Sequence, residues 1–287
     1  MNKIITIFKL KYIVCIAIII TILSPSLVSA NSLILAPTRL VFEGKDRKSS
    51  VQVSNPSDEE VKYRVEILNR RMLGNGRYVT IETPEKDELF ADRLIRVSPR
   101  SFTLAPHTSQ TIRVHVRKPK NLKEGEYRSH VRVQVLPKSE KPKIGENIDG
   151  INIKVKVNYG MVIPLIIRHG KLNSDVKIEN VLLEKDDDTG QYRITTKFLR
   201  DGTKSSYGDI SVVYRGNKSE ARILKFLPGL SVFYPNKYRS FNIPLDIPDD
   251  ISIKEGTLEI IYREQTKNGG GVIAQFAKEL GNSNKYE

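Results

Sequence analysis

The side chains that most often carry out catalysis are few in this sequence, and they are scattered. The four histidines are isolated from one another: His107, His115, His130 and His169. Their spacings do not match those of metal sites, and the chain has no Gly-x-Ser-x-Gly motif or glycine-rich phosphate loop. Residues 188–190 read Asp-Thr-Gly, but they end a run of acidic residues between two apolar stretches, which predicts a charged hairpin turn. The sequence therefore argues against an enzyme and implies no metal and no cofactor.

Arg39 is the one charged residue in the largely apolar run 33–42. Apolar side chains occupy both alternating positions of this run, so a single strand here is expected to be covered on both faces. A partly buried guanidinium needs an anionic partner. Two interpretations stay open at this point. Arg39 pairs with an internal carboxylate or reaches to water, or it is a docking point for a carboxylate from another molecule.

Residues 1–30 predict a secretory signal peptide. It has a basic start with Lys3, Lys9 and Lys11, an apolar stretch at 13–23 and a small-residue cleavage site ending at Ala30. The mature chain is expected to begin after Ala30, to be exported, and to have no membrane span, because no later segment is long and apolar enough. Cys15, the only cysteine, lies inside the apolar stretch. The mature chain must therefore fold without a disulfide.

The chain is strongly basic, with 47 Lys and Arg against 33 Asp and Glu and a formal net charge of +14. Such a balance favours acidic partners. Export argues against nucleic acid, and so does the absence of a clustered basic patch interleaved with aromatic residues. Basic residues set along strands, such as Arg128 and Arg132, predict instead a solvated basic face of a sheet.

Alternating apolar residues and turn signals predict β-strands along most of the chain. Residues 50–54 and Val61–Leu68, separated by a turn cluster, predict a short hairpin, and Asn75-Gly76 predicts a tight turn. Further strands are predicted at 102–104, 111–116 and 127–136. The segment Val272–Leu280 fits either a helix or a last strand. Strands at this spacing indicate antiparallel sandwiches.

An internal repeat predicts two similar units. Segment 104–127 contains a turn, an alternating strand, a loop with proline, a Glu-Gly pair and a further strand, and segment 233–258 repeats this order. The expected boundary between the units lies at 169–173. About 257 residues after the signal suit two domains of ordinary size.

Residues 151–167 form an unusually long alternating segment. Every odd position is apolar, and the even positions of its first half are Asn or Lys. Seventeen extended residues span roughly 55 Å, whereas ordinary strands have about five to ten residues. One interpretation is a core strand with a bend near Gly160 or Pro164. The other, for the first half, is an edge strand offered to another protein.

These motifs, in this order, resemble the PapD-like family of periplasmic pilus-assembly chaperones. The resemblance covers about residues 33–170 and is carried by segments 35–44, 50–55, 98–99, 104–106, 125–128 and 163–168. It implies an all-β fold of two tandem immunoglobulin-like β-sandwich domains in an L-shaped arrangement. The implied divisions are a signal peptide at 1–30, an N-terminal chaperone domain at 31–169 and a C-terminal sandwich at 170–287.

The resemblance implies an ATP-independent periplasmic chaperone that binds pilin-type subunits and passes them to an outer-membrane usher. Such chaperones lend an edge strand to a subunit that lacks its own last strand, which is donor-strand complementation. By this match Arg39 binds the C-terminal carboxylate of the subunit, and Glu126 and Arg168 form an internal ion pair near the domain junction. The lent side chains are Ile153, Val155, Val157, Tyr159 and Met161.

One position departs from the family pattern. Family members carry a lysine late in the long strand as a second anchor for the carboxylate, and Pro164 occupies that position here. Lys156 has the right alternation but is roughly 26 Å away along an extended strand. Arg132 and His130, on a neighbouring strand, remain candidates. The alternative function is an exported structural or adhesive protein of tandem immunoglobulin-like domains that handles no client.

Overall fold

The computed structural model describes residues 33–137, 159–216, 220–265 and 269–281. Within these ranges the chain forms eighteen β-strands and a single short 3-10 turn at Asp92–Leu94. The strands build two sandwiches that follow one another in sequence. This confirms the predicted all-β class of two tandem immunoglobulin-like domains.

The first sandwich is built from the strands before residue 170. They are β1 (Ile34–Ala36), β2 (Leu40–Phe42), β3 (Lys48–Ser54), β4 (Val61–Leu68), β5 (Arg70–Met72), β6 (Tyr78–Thr80), β7 (Ile95–Ser98), β8 (Ser101–Leu104), β9 (Ser109–Val116), β10 (Gly125–Leu136) and β11 (Gly160–His169). Sheet β1-β3-β9-β7 packs on sheet β2-β11-β10-β4-β8, and β5 pairs with β6 in a separate hairpin. Val51 and Ile112 from one sheet and Val131 and Leu165 from the other are completely buried between them.

The second sandwich repeats this plan with fewer strands. They are β12 (Ser174–Lys185), β13 (Tyr192–Gly202), β14 (Ser206–Arg215), β15 (Arg222–Val232), β16 (Tyr238–Pro244), β17 (Gly256–Arg263) and β18 (Val272–Leu280). Sheet β12-β13-β16 faces sheet β15-β14-β17-β18 around a core that includes Ile194, Phe198 and Ile260. Val272–Leu280 is thus a strand, paired with β17.

The internal repeat corresponds to equivalent parts of the two sandwiches. In each, a strand of one sheet (β9 or β16) is followed by a loop and a strand of the opposite sheet (β10 or β17). Gly125 and Gly256 open these second strands, with φ of +155° and +123°, values that side chains strongly disfavour. We propose the domain boundary between residues 169 and 170, where β11 ends and the chain leaves the first sandwich.

The expected hairpin of residues 50–54 with Val61–Leu68 is wrong. Strand β3 pairs with β1 and β9, whereas β4 pairs with β10 and β8 in the opposite sheet. The turn cluster carries the chain across the core, and the Asn55 side chain fixes this crossing by donating to the carbonyl oxygens of Glu59 and Ala105 at 2.7 and 3.1 Å. The Asn-Gly turn is confirmed, because β5 and β6 pair around Gly76, whose φ is +81°.

The run 33–42 is two short strands rather than one. Strand β1 joins one sheet and β2 the other, with the change at Pro37 and Thr38. Ile34 and Val41 are therefore 51% and 37% exposed, and the expected burial of both faces is wrong. The apolar residues occur in both alternating positions because the chain changes sheets, which shifts the face that meets the core.

The two sandwiches meet on the outer face of β10 and β11. Met72, Ile166 and Phe233 form a small buried cluster there. Arg128 is also buried at this junction: it donates to the carbonyl oxygen of Tyr234 at 2.9 Å, and its guanidinium lies 4.3 Å from the Phe233 ring centre. The predicted solvated basic face is therefore wrong at this position, because the second sandwich covers it.

Gly160, at the start of β11, should not tolerate a side chain. A Cβ atom there would lie 2.6 Å from the carbonyl oxygen of Val133 on β10, so the β10–β11 pairing would have to shift. We expect Gly160→Ala to lower the free energy of unfolding by about 1 to 3 kcal/mol. Urea titration followed by circular dichroism measures it. Gly271→Ala is the matched control, because no atom of the described residues lies within 4 Å of its Cβ position; equal effects of the two changes would contradict the prediction.

Candidate functional site: a cationic cleft between the sandwiches

Arg39 is held at the junction by the short strand that it precedes. Strand β2 runs parallel to β11, with Leu40 opposite Leu165, and the buried side chains of Leu40 and Phe42 fix it on the core. Arg39 therefore stands where β2 begins, beside the middle of β11. Its guanidinium points to the second sandwich, where it lies 4.1 Å from the ring centre of Tyr207 and donates to the Ser231 hydroxyl at 3.0 Å.

Arg39 keeps its charge although much of its water is removed. Burial lowers the pKa of its guanidinium to about 10, while the carboxylate of Glu126 partly opposes that shift. At neutral pH the group remains cationic. Within the described ranges no Asp or Glu lies at ion-pair distance from it. Its guanidinium lies over the rings of Tyr207 and Phe233 and donates to the Ser231 hydroxyl. A desolvated cation with neutral neighbours favours an anion from outside.

A cleft of about 300 Å³ opens beside Arg39. Its walls come from both sandwiches and carry no acidic side chain; they include Thr38, Arg39, Tyr78 and Pro164 from the first, and Tyr207, Ser231 and Arg239 from the second. Burial raises the pKa of the Tyr78 phenol, and four arginines act against that shift: Arg128, Arg239, Arg70 and Arg39. The cleft is thus an anion-attracting site.

Neither sequence candidate for the missing second anchor supplies a free charge. His130 lies opposite Pro164 in the β10–β11 register and is only 3% exposed. Burial, aided by Arg128 and Arg70, lowers the pKa of its imidazole to about 3, so the ring is neutral at pH 7. The guanidinium of Arg132 is engaged by Glu66, which accepts from its Nε at 2.9 Å.

The structure describes two of the five residues that are predicted to be lent to a client. Ile153, Val155 and Val157 lie outside the described residues. Tyr159 and Met161 are half-buried and pack against the edge of the first core. They share their alternation with Ile163, Leu165 and Ile167, which are buried inside that core.

Strand β11 has one open edge next to Arg39. From Gly160 to His169 it pairs with β10 along one side. Along the other side β2 covers only Leu165 to Ile167. In the part of the chain that the structure describes, nothing pairs with that side of β11 from Gly160 to Pro164. Pro164 fits this position, because strands tolerate a residue without an N–H at an edge.

Glu126 and Arg168 meet at the base of the junction. Arg168 Nε lies 3.1 Å from Glu126 Oε2, and Glu43 also contacts the same guanidinium. Glu126 accepts hydrogen bonds from the Ser205 backbone N–H at 3.0 Å and from the Ser205 hydroxyl. Burial alone would lower the pKa of Arg168, but these two carboxylates hold it above its ordinary value. The pair therefore joins the first sandwich to the second.

Sequence reasoning missed the part of the cleft that the second sandwich contributes. Nothing in the sequence marks Arg239 or Ser231 as a binding residue: Arg239 lies in the repeated segment 233–258, and Ser231 in an ordinary strand. Tyr78 follows the Asn75-Gly76 turn, which by itself indicates only a hairpin. No linear signal connects residues so far apart in the chain. Arg39 alone was detectable, because its charge interrupts an apolar run.

The described residues hold no group of three or more His, Cys, Asp or Glu side chains placed to bind a metal ion. Across the same ranges, no helix has the length and apolar character needed to cross a membrane.

Comparisons with known proteins give a family match for the first sandwich. The profile described as "Pili and flagellar-assembly chaperone, PapD N-terminal domain" matches residues 32–173. No protein among the curated sequences matches the chain.

Three solved structures illustrate the structural likeness. The YadV chaperone is 9% identical over 86% of this chain and 99% of its own, with a TM-score of 0.42. The CupB2 chaperone of Pseudomonas aeruginosa is 14% identical over 86% and 100%, also with a TM-score of 0.42. CsuC, in a pre-assembly complex with the tip adhesion subunit CsuE from the archaic chaperone-usher Csu pili of Acinetobacter baumannii, is 12% identical over 87% and 98%, with a TM-score of 0.43. The first sandwich of this chain, residues 32–173, belongs to the PapD-like family of pili and flagellar-assembly chaperones.

Proposed function

We propose that this protein is a periplasmic, ATP-independent chaperone that binds pilin-type subunits by donor-strand complementation and delivers them to an outer-membrane usher. The observation that carries the proposal is the open edge of β11 at Gly160 to Pro164, which leads directly to an arginine with no acidic partner in the described ranges. Main-chain hydrogen bonds along such an edge give affinity, and alternating side chains give specificity. Family membership favours this function over an exported structural or adhesive protein.

The position of Arg39 sets the direction of the added strand. Arg39 precedes Leu40, which is opposite Leu165 near the middle of β11. A client strand whose last carboxylate reaches Arg39 must end there, so it runs along Gly160 to Pro164 in the same direction as β11. In this arrangement the anchored C-terminus of the client sets the register between the two strands, and therefore which lent side chain meets which pocket.

The apolar row of the long strand supplies the lent side chains in this proposal. Tyr159 and Met161 mark where the first core ends. Ile153, Val155 and Val157 continue the same alternation in the sequence. We propose that these five residues fill the groove left in a subunit by its missing strand.

Arg39→Ala should abolish the complex with a subunit without unfolding the chaperone. Truncating one member of a buried charge pair costs about 2 to 5 kcal/mol, which is roughly a thirtyfold or larger loss of affinity. The measurement is co-purification from the periplasm with a co-expressed pilin-type subunit, followed by titration of the purified partners. Arg47→Ala is the control, because Arg47 is exposed and, among the described residues, its side chain bonds only to nearby carbonyl oxygens. A complex of undiminished affinity with Arg39→Ala would remove the anchoring role.

The compartment has its own test. N-terminal sequencing of the protein from a periplasmic fraction should begin at Asn31, the residue after the predicted cleavage site. Recovery in the cytoplasmic fraction with Met1 intact would contradict export.

A further inference from the structure

Arg239 lies in the same cleft as Arg39 but belongs to the second sandwich. It stands in β16, and its Nη1 donates to the carbonyl oxygen of Ser231 at 2.8 Å. The hydroxyl of the same Ser231 accepts from Arg39 Nη1 at 3.0 Å. One serine therefore holds both guanidinium groups at the wall of one cavity.

The charge of Arg239 is not neutralised by an acidic side chain in the described part of the chain. Its guanidinium lies 4.7 Å from the Phe241 ring centre. On another side it rests on Gly76, where a Cβ atom would lie 2.8 Å from both Nε and Nη2. Burial lowers its pKa below the ordinary arginine value, although the guanidinium stays charged at pH 7. Packing and one carbonyl hold this side chain in place, so its positive charge is available to an anion in the cleft.

We propose that Arg239 is the second cationic anchor for the carboxylate that Arg39 binds, so that the site is complete only when both sandwiches contribute. This inference rests on the proposed function, because it takes a client's C-terminal carboxylate as the anion. Pro164 carries no charge, His130 is neutral and Arg132 is engaged by Glu66. Two guanidiniums can each donate to one oxygen of a carboxylate, and such charge-assisted bonds are stronger than neutral ones.

A peptide pair tests this role. The probe is a fluorescein-labelled peptide of alternating valine and threonine, about twelve residues long, made with a free C-terminal carboxylate and as the C-terminal amide. Anisotropy titration of the full chain gives the affinity for each. We expect the wild type to prefer the acid by tenfold or more. Arg239→Ala should weaken binding of the acid about tenfold and leave binding of the amide unchanged, and Arg239→Lys should retain most of the preference.

The controls separate this inference from the proposed function. Arg222→Ala removes the same charge at the start of β15, far along that strand from Ser231, where Arg222 pairs with Asp250. This change should leave the preference for the acid unchanged. An unaltered preference in Arg239→Ala, with a reduced one in Arg39→Ala, would overturn the role of Arg239 alone. A wild type that binds both peptides equally would overturn carboxylate anchoring by either arginine. If the wild type binds neither peptide, the proposed strand addition is overturned, and so is the role of Arg239 that rests on it.

Discussion

Replacing Glu126 with alanine should lower the free energy of unfolding by about 3 to 5 kcal/mol, the usual cost of removing one member of a buried ion pair. Glu126 is only 2% exposed. Its carboxylate accepts from Arg168 and from the backbone and hydroxyl of Ser205 in the second sandwich. Its charge also raises the pKa values of Arg39 and Arg128 against the effect of burial. Without it, the desolvated Arg39 and Arg128 lose the carboxylate that most opposes the effect of burial on their pKa values.

The chain offers a matched control on the same guanidinium. Glu43 also pairs with Arg168, but its side chain is 56% exposed. Glu43→Gln should therefore change stability by less than about 1 kcal/mol, as exposed ion pairs do. Urea titration at pH 7 measures both variants by circular dichroism, since the chain has no tryptophan. Equal, small effects of Glu126→Ala and Glu43→Gln would show that the buried carboxylate does not hold the junction together.

The second large effect is a loss of stability in mild acid that depends on His130. The folded chain keeps this buried imidazole neutral down to a pKa of about 3, while an ordinary histidine takes up its proton near pH 6.5. Between these values the unfolded chain binds one more proton than the folded chain, so acidification favours unfolding. This loss of unfolding free energy due to His130 is absent above pH 6.5 and grows as the pH falls, reaching up to about 4 to 5 kcal/mol near pH 3.

His130→Leu should flatten this part of the stability profile. Neither ring nitrogen of His130 has a hydrogen-bond partner in the described structure, so leucine removes the titrating group with little loss of bonding. We expect similar stability of variant and wild type at pH 8 and a more stable variant at pH 4.5, measured by urea titration at each pH. His115→Leu, at an exposed position of β9, should leave the change of unfolding free energy with pH as it is in the wild type. If His130→Leu also kept the wild-type dependence on pH, other groups would be the cause of the acid sensitivity.

Membership in an assembly-chaperone family confirms the expectation that the chain is not an enzyme. The sequence pointed the same way because its histidines have no catalytic spacing. It also predicted the Asn75-Gly76 turn and the strand positions within a few residues, since alternation and turn chemistry are local properties.

The errors arose where an outcome depended on distant parts of the chain. Residues 50–54 and Val61–Leu68 were expected to pair, yet they lie in opposite sheets of the first sandwich. Alternation shows that a strand has one apolar face, but it does not show which strand lies at its edge. The same limit applied to Arg128, which alternates as a solvent-facing residue but is covered by the second sandwich.

The sequence by itself determined the all-β class, the two similar units, the long alternating pattern of residues 151–167 and the exceptional position of Arg39. These follow from patterns repeated every second residue and from a charge that interrupts an apolar run. Only the tertiary structure decided that Arg39 faces Tyr207, Ser231 and Arg239 rather than an internal carboxylate. The reason is physical: the interactions of a charge depend on its distance to other groups in space and on the water it loses. For Arg39, both are determined by residues that lie up to about two hundred positions away in the chain.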